Sequence, residues 1–523
     1  MASNNQYPHL VIANVELWGH VRPVCAFAAK LVLTRDVHIT MLATPAVYGR
    51  IVKEVGRSFS PKDADRLNLI RIVALDNIVE GEYSFAEKTG AEFVRYTAAV
   101  VDTYQHLLDE KPITCFATKT EFPVVPSPTT VVVDFLIGSM IDALRSLPKH
   151  KAKIVGFFSA MPSFLHLMFA PVERGGRADL KQRIMQETES SKRPLFDVAE
   201  ELCYTFTDEI VQMPGFPKMY HWELAPQASV WLKGFIGSVV MSIFDAVEKS
   251  DGMLITSPEV YEPAAIADMR EWFAETGRDV WAIGPLIPSL NSKESVKGEQ
   301  AQSKDSSEIM KFMDETLVKH GKHSMLFISF GSAIWPPEFE KFDAFVDVVI
   351  ENRIPFLLSH GSPFAQLPEP FKAKVQESAS GFLTPWSPQQ TVLNHPVVGW
   401  FVSHCGHNST LEAVSCGVPL ICWPFTNDQA ANAINLTDNH GVAYELIEVR
   451  TGDGLKPIFR TGKTPVGTVD AIRAEAREVL AKAYGEDGAR KRANAKQLQD
   501  KIQRAASDGG SDHVDMRRFL DSI

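Results

Sequence analysis

Two groups of side chains in this sequence have the types and spacing for chemistry. His20 follows Gly19 just after a run, His9 to Val15, that reads as a buried strand. Asp134 closes another such run, Val131 to Val133. A carboxylate that accepts a hydrogen bond from an imidazole fixes the ring's tautomer and stabilises the charge that forms when the ring takes a proton. That is the arrangement needed to deprotonate a hydroxyl as it attacks, a step worth roughly 10²–10⁴ in rate. A helix amino end at His20 would disfavour imidazolium and keep the ring a proton acceptor near neutral pH. Asp142, one or two helix turns further on, is a second acidic candidate.

The other group lies between Trp386 and Gln429. Val402-Ser403-His404-Cys405-Gly406-His407-Asn408-Ser409-Thr410-Leu411-Glu412 runs from a strand into a helix. Gly406 permits close backbone approach, and Asn408 or Ser409 can start the helix. Its free amides and dipole would bind phosphate. His404 could donate a further hydrogen bond, and Glu412 could accept from two ribose hydroxyls. Trp386-Ser387-Pro388-Gln389 follows another strand end. A Trp held near Pro offers a face for a base, worth roughly 1–3 kcal/mol, and Gln389 can pair with a pyrimidine edge. In Trp423-Pro424-Phe425-Thr426-Asn427-Asp428-Gln429, the adjacent Asp428 and Gln429 suit sugar hydroxyls.

These residues need a scaffold that brings strand ends together. Val37 to Ala43, Leu69 to Leu75, Ile154 to Phe158, Met253 to Thr256 and Val280 to Ile283 read as further strands of the first half. His20 to Leu31 and Ala91 to Leu108 read as helices. After Ser289 to Ser307, a polar stretch with little to bury, the alternation restarts. Met325 to Ser329, Pro355 to Ser359, Val397 to Ser403 and Leu420 to Trp423 read as strands, and Ala471 to Arg504 as one polar helical stretch. Strand–helix alternation implies parallel sheets covered by helices. The fold class is α/β, two doubly wound Rossmann-like domains with ligands outside the strands' carboxyl ends, in a cleft between them. The expected organisation is an acceptor-binding domain over 1–288, a linker over 289–307, a donor-binding domain over 308–505 and a tail over 506–523. Ala170 to Glu248 breaks the rhythm and reads as pocket wall. Trp18, Phe135, Phe157, Phe158, Phe164, Met168 and Trp222 are the candidate lining for an apolar acceptor.

The 44 residues from Trp386 to Gln429, with Val392-Leu393-Asn394-His395-Pro396 and Gly417-Val418-Pro419 between the key groups, resemble the signature box of the UDP-glycosyltransferases best known from plant secondary metabolism. Phe330-Gly331-Ser332, Ile283-Gly284-Pro285-Leu286, Met213-Pro214-Gly215 and Ser250-Asp251-Gly252 resemble further landmarks of that family. The resemblance implies the two-Rossmann GT-B arrangement. It implies that Trp386 stacks on uracil, that Gln389 borders the nucleoside and that Glu412 holds the ribose, with Ser387 among the donor-binding residues. Ser332, His404, Asn408 and Ser409 would contact the diphosphate beside Gly406, Asp428 and Gln429 the sugar, with His20 and Asp134 as the catalytic pair. His407 departs from the family pattern, which usually has Trp there. Gln429, at the box's last position, resembles glucose-preferring members.

The expected activity is an inverting transfer of glucose from UDP-glucose to a hydroxyl of a small apolar or phenolic acceptor, giving a β-glycoside. The helix near Asn408 would stabilise the leaving diphosphate, so no metal and no cofactor beyond the UDP-sugar is expected. Composition narrows the classes. The 523 residues carry 53 basic and 64 acidic side chains, net −11, which argues against a nucleic-acid partner. No Gly-x-Gly-x-x-Gly follows the first strand, against a dehydrogenase. The six cysteines form no Cys-x-x-Cys pair and read as reduced. No signal peptide or membrane span is expected, against a lumenal glucuronosyltransferase; a cytoplasmic monomer is the expectation. A catalytically silent nucleotide-sugar-binding protein is the alternative that the pairing of His20 with Asp134 argues against.

Overall fold

The computed structural model describes residues 7–76, 85–228, 234–288 and 292–523, and of 85–89 the backbone alone. The chain forms two compact units. Unit 1 comprises Met1–Thr205, Leu232–Ser289 and Ala505–Ile523; unit 2 comprises Phe206–Trp231 and Leu290–Arg504.

Unit 1 is built on seven parallel strands: β1 (His9–Ala13), β2 (His38–Ala43), β3 (Ile70–Ala74), β4 (Thr130–Asp134), β5 (Lys153–Phe158), β6 (Gly252–Ile255) and β7 (Asp279–Ala282). Their spatial order is β7-β6-β5-β4-β1-β2-β3. Runs such as Thr130-Val131-Val132-Val133-Asp134 are buried throughout, as expected of a parallel sheet covered on both faces. β1 pairs with β2 on one side and with β4 on the other, Ala13 lying opposite Val133. The strand order therefore reverses beside β1, and the crevice at such a reversal is where doubly wound sheets bind ligands. Helix α1 (Trp18–Thr34) leaves β1 at that point. It starts two residues before the predicted His20.

Unit 2 has a six-stranded parallel sheet: β8 (Met325–Ser329), β9 (Phe356–Ser359), β10 (Gly381–Thr384), β11 (Val398–Ser403), β12 (Leu420–Cys422) and β13 (Ala443–Glu445), in the order β10-β9-β8-β11-β12-β13. Here the reversal falls between β8 and β11, where Ser329 lies opposite Ser403. The helices that matter to the site are α2 (Lys293–Gln300), α3 (Gln389–Leu393), α4 (His407–Ser415) and α5 (Asp428–Ile434).

The predicted boundaries need three corrections. Residues 289–291 lie outside the described residues, but the rest of the predicted linker is part of unit 2: it contains α2, and Glu299 is buried. The predicted tail belongs to unit 1. Its helix Ser511–Asp521 sets Phe519 against Phe27 and Trp281, with ring centroids 5.8 and 5.3 Å apart, and Asp515 accepts from the Ala282 amide at 2.8 Å. Within the predicted pocket wall, Phe206–Trp231 belongs to unit 2. Trp222 is thus a buried residue of unit 2, not of the unit that carries His20 and Asp134. The helical stretch Ala471 to Arg504 is two helices, Val469–Ala483 and Glu486–Ala506.

Candidate active site

In unit 1 the carboxyl ends of β1 and β4 bring His20 and Asp134 together. The His20 Nδ1 lies 2.8 Å from Asp134 Oδ2. The carboxylate is buried, while the imidazole keeps 17% of its surface. The other oxygen of Asp134 accepts from the Leu136 amide at 2.9 Å, in the short helix Phe135–Met140 that follows β4. A carboxylate only accepts, so Nδ1 carries the proton in this pair. Phe135 stacks on the ring, 5.1 Å away and 19° from parallel, and Phe158 packs 4.6 Å from Phe135. Carboxylate and aromatic ring thus hold the imidazole from two sides. Asp142 is no alternative: its carboxylate is mostly exposed and pairs with Lys249.

The candidate acceptor lining divides in the same way. Trp18 and Phe164 are half-buried, whereas Phe157, Phe158 and Met168 lie in the hydrophobic cores of unit 1. Periodicity marked all of them as apolar and could not tell lining from core. The guanidinium of Arg50 covers the ring of Trp18 at 3.7 Å.

In unit 2 every predicted donor residue follows the carboxyl end of a strand. Ser332 follows β8, Trp386 and Ser387 follow β10, His404 and Gly406 follow β11, and Asp428 follows β12. His404 sits between two glycines across the β8/β11 reversal. A Cβ on Gly331 would fall 2.9 Å from the ring, and one on Gly406 2.3 Å from it. Gly331 also has φ +77°, so glycine is needed there on two counts. Burial pulls the pKa of His404 down to about 4, which leaves the ring neutral at physiological pH. A neutral ring can only hydrogen-bond an anion, so a positive potential at this edge would have to come from the amino end of α4.

Gln389, Ser409 and Glu412 are in direct contact. Gln389 Nε2 donates to Glu412 Oε2 at 2.5 Å and to Ser409 Oγ at 3.2 Å. Asn408 stands in the first turn of α4 beside Ser409. On α5, the carbonyl oxygen of Gln429 accepts from the Phe425 amide at 3.1 Å, which fixes the side chain and leaves its amide hydrogens as the donors. Two residues of this edge have left-handed backbones without being glycine, Cys405 at φ +64° and Asn427 at φ +55°. Such conformations cost about 1–3 kcal/mol each and gather at functional sites.

Three positioning residues were missed from the sequence. Gln390 is buried and donates to Glu412 Oε1 at 2.9 Å, so the carboxylate is held from both oxygens. Glu299 accepts from the amides of Gln390 and Thr391 at 3.0 and 2.9 Å and from the Thr391 hydroxyl at 2.7 Å. It caps α3 with a full charge. Ser303 donates to the Trp386 carbonyl at 2.7 Å. Glu299 and Ser303 come from the stretch that looked like linker, and the contacts span 83 to 92 residues, beyond any local pattern. His407, where the family pattern has Trp, is buried with its pKa lowered to about 4 by desolvation. Its ring lies beside the side chain of Asn432 on α5.

One pair of aspartates with the spacing of a metal-binding Asp-x-Asp motif occurs in the sequence, Asp63-Ala64-Asp65 in unit 1. Asp63 is occupied there in a local capping box, accepting from the Ser60 amide and hydroxyl at 3.1 and 2.5 Å. Among the described residues, no three His, Cys, Asp or Glu side chains gather as a metal site. No helix among them is long and apolar enough to cross a membrane.

Residues 263–456 match the sequence profile of the family described as UDP-glucoronosyl and UDP-glucosyl transferase. The UDP-glycosyltransferase eriJ of Hericium erinaceus is 30% identical over 99% of both chains. UDP-glycosyltransferase 73C5 of Arabidopsis thaliana is 25% identical over 98% of this chain and 96% of its own. Among solved structures, Phytolacca americana UGT2 complexed with UDP-2fluoro-glucose and pterostilbene superposes with a TM-score of 0.67 at 20% identity, covering 98% of this chain and 99% of its own. Medicago truncatula UGT71G1 complexed with UDP-glucose gives 0.67 at 20% identity, covering 100% and 99%. With two reversal points in two parallel sheets, a histidine–carboxylate pair at one and a helix amino end at the other, this chain belongs to the UDP-glycosyltransferase family, an enzyme of GT-B fold with two Rossmann-like domains.

Proposed function

We propose that the enzyme transfers glucose from UDP-glucose to a hydroxyl of a small apolar or phenolic acceptor, with inversion at the anomeric carbon and without a metal ion. The observation that carries this reading is the contact of 2.8 Å between His20 Nδ1 and Asp134 Oδ2. It leaves Nε2 to take the acceptor proton as the oxygen attacks. The oxygen–carbon bond forms on the face opposite the departing UDP, so an α-linked donor gives a β-glycoside. The Phe135 ring stacked on the base suits an aromatic or otherwise apolar acceptor.

In unit 2, Trp386 is the platform for uracil and Gln389, beside Ser387, borders the nucleoside. Glu412, held by Gln389 and Gln390, takes the ribose hydroxyls. Ser332, His404, Asn408 and Ser409 meet the diphosphate at the amino end of α4, with Gly406 leaving room for the approach. Electrostatic stabilisation of the leaving group by preorganised backbone dipoles needs no ion. Asp428 and Gln429 read the sugar. Similar solved structures, one complexed with UDP-glucose and another with UDP-2fluoro-glucose and pterostilbene, support a glucose donor and a phenolic acceptor.

The test is UDP release from UDP-glucose, UDP-galactose and UDP-glucuronate with a panel of hydroxylated aromatics, with and without EDTA. The expected outcome is preference for UDP-glucose, unchanged turnover in EDTA and a β-linked product by NMR. Absence of UDP release with every acceptor in the panel would favour the silent nucleotide-sugar-binding reading; loss of turnover in EDTA would sink the metal-free one.

A further inference from the structure

The residues assigned to the sugar stand on a turn with an unusual support. After β12 the chain passes through Pro424–Thr426, then Asn427 with φ +55° and ψ −129°, and enters α5 at Asp428. L-residues rarely adopt this backbone, so something outside the turn must hold it. The support is the segment Leu224–Ala228, which lies in unit 2 although the chain on either side of Phe206–Trp231 belongs to unit 1. The Asn427 amide donates to the Leu224 carbonyl at 2.7 Å, and the Gln227 amide to the Phe425 carbonyl at 3.1 Å. The side chain of Gln227 is buried, and its Nε2 donates to the Pro424 carbonyl at 2.7 Å.

The segment is itself anchored. The Thr451 amide donates to the Pro226 carbonyl at 3.0 Å, and the Ala228 amide to the Thr451 hydroxyl at 2.7 Å. Gly454 lies so close that a Cβ there would fall 2.2 Å from the Pro226 oxygen. Three hydrogen bonds therefore reach the turn from one side within four residues, and the last of them ends at the strained residue before Asp428.

We propose that Leu224–Gln227 is a brace for the sugar-reading turn and that Gln227 is a positioning residue for the sugar of the donor, without a part in holding UDP. This rests on the reading that Asp428 and Gln429 bind the sugar. The hydrogen bonds of Gln227 go to Pro424 and Phe425, neither of them assigned to the nucleoside or the diphosphate. Without its side-chain donor, the Pro424 carbonyl is left buried and unpaired and the turn is free to relax. Relaxation misplaces Asp428 and Gln429 together, because both follow Asn427 directly.

The experiment compares Gln227→Met, similar in size but without a donor, with the parent enzyme. Binding of UDP and of UDP-glucose and the KM for UDP-glucose and UDP-galactose are measured. The expected result is a fivefold or larger rise in Kd and KM for UDP-glucose, a smaller preference over UDP-galactose, and a Kd for UDP within twofold of the parent. Equal weakening of UDP and UDP-glucose would show a merely structural residue and overturn the proposal, as would unchanged values for both. If Gln227→Met does not fold, Gln227→Asn, which keeps a polar amide one methylene short of Pro424, is read by the same criteria. Asp428→Ala is the control. If it fails to separate UDP-glucose from UDP, the sugar assignment falls and the brace with it; if it separates them and the Gln227 variants do not, the brace alone is wrong.

Discussion

On the proposed reading, the two sheet reversals solve different problems with the same topology. At the β1/β4 edge, an imidazole is anchored at one nitrogen by a buried carboxylate and keeps 17% of its surface exposed. At the β8/β11 edge, the histidine is wedged between Gly331 and Gly406 and kept neutral by burial. Proton transfer needs a group whose charge can change during the reaction. Holding a diphosphate needs a field that does not change, and aligned backbone amides supply one without a buried cation and its desolvation cost. The first edge depends on one side chain, whereas the second spreads its work over a helix end, an aromatic face and several polar groups. Single substitutions are therefore expected to be severe in unit 1 and graded in unit 2.

The largest effect is expected at the base. His20→Ala should lower kcat by about 10²–10⁴ while the Kd for UDP stays within twofold, because every residue assigned to the donor lies in unit 2. Asp134→Asn should approach that loss, since an amide in place of the carboxylate permits the wrong ring tautomer. Near-normal turnover in either variant would break the comparison by moving the proton chemistry elsewhere.

Trp386→Ala comes next and reverses the pattern. Loss of a stacked base costs about 1–3 kcal/mol, so the Kd for UDP should rise about 5- to 150-fold. At saturating donor, kcat should change little. A fall in kcat with unchanged UDP binding would show that the indole is not the nucleoside platform.

A smaller effect tests whether the stretch after unit 1 serves the donor site. Glu299→Gln keeps the shape of the cap on α3 but removes its charge, and charge-assisted capping is worth about 1 kcal/mol more than its neutral counterpart. UDP affinity should fall about fivefold, and the Tm by a few degrees. A variant with the parent's UDP affinity would confine Glu299 to stability.

Those residues also show where sequence reading stops. The long strands were legible because Val, Ile and Leu runs bounded by turns record burial on both faces of a parallel sheet. The signature from Trp386 to Gln429 was legible because several polar and aromatic types recur in fixed order. The strands Gly381–Thr384 and Ala443–Glu445 were not: they are short sheet edges, only partly buried, and carry little apolar pattern. Glu299 was invisible for another reason. A buried cap and a solvated surface carboxylate look alike in sequence, and only a contact 91 residues away separates them. The same holds for Gln227, whose partner is 197 residues distant. For His20 and Asp134, 114 residues apart, the strand ends that carry them could be read, and the sheet order that makes them neighbours could not.

The smallest expected effect is the sharpest test of the contrast. With its pKa held near 4 by burial, His404 is neutral at every pH above about 5 and would become cationic only below 4. UDP-glucose is the right probe, because its diphosphate is bridged at both ends and stays fully ionised at neutral and mildly acidic pH. Its Kd, measured by calorimetry between pH 5.5 and 8, should therefore stay within about twofold, since no charge appears at the ring over that span. If imidazolium did form in that range, it would attract the diphosphate and affinity would climb steadily as the pH fell. A Kd that drops severalfold toward pH 5.5 and flattens in His404→Gln would place a titrating cation at the β8/β11 edge and erase the distinction between the two reversals.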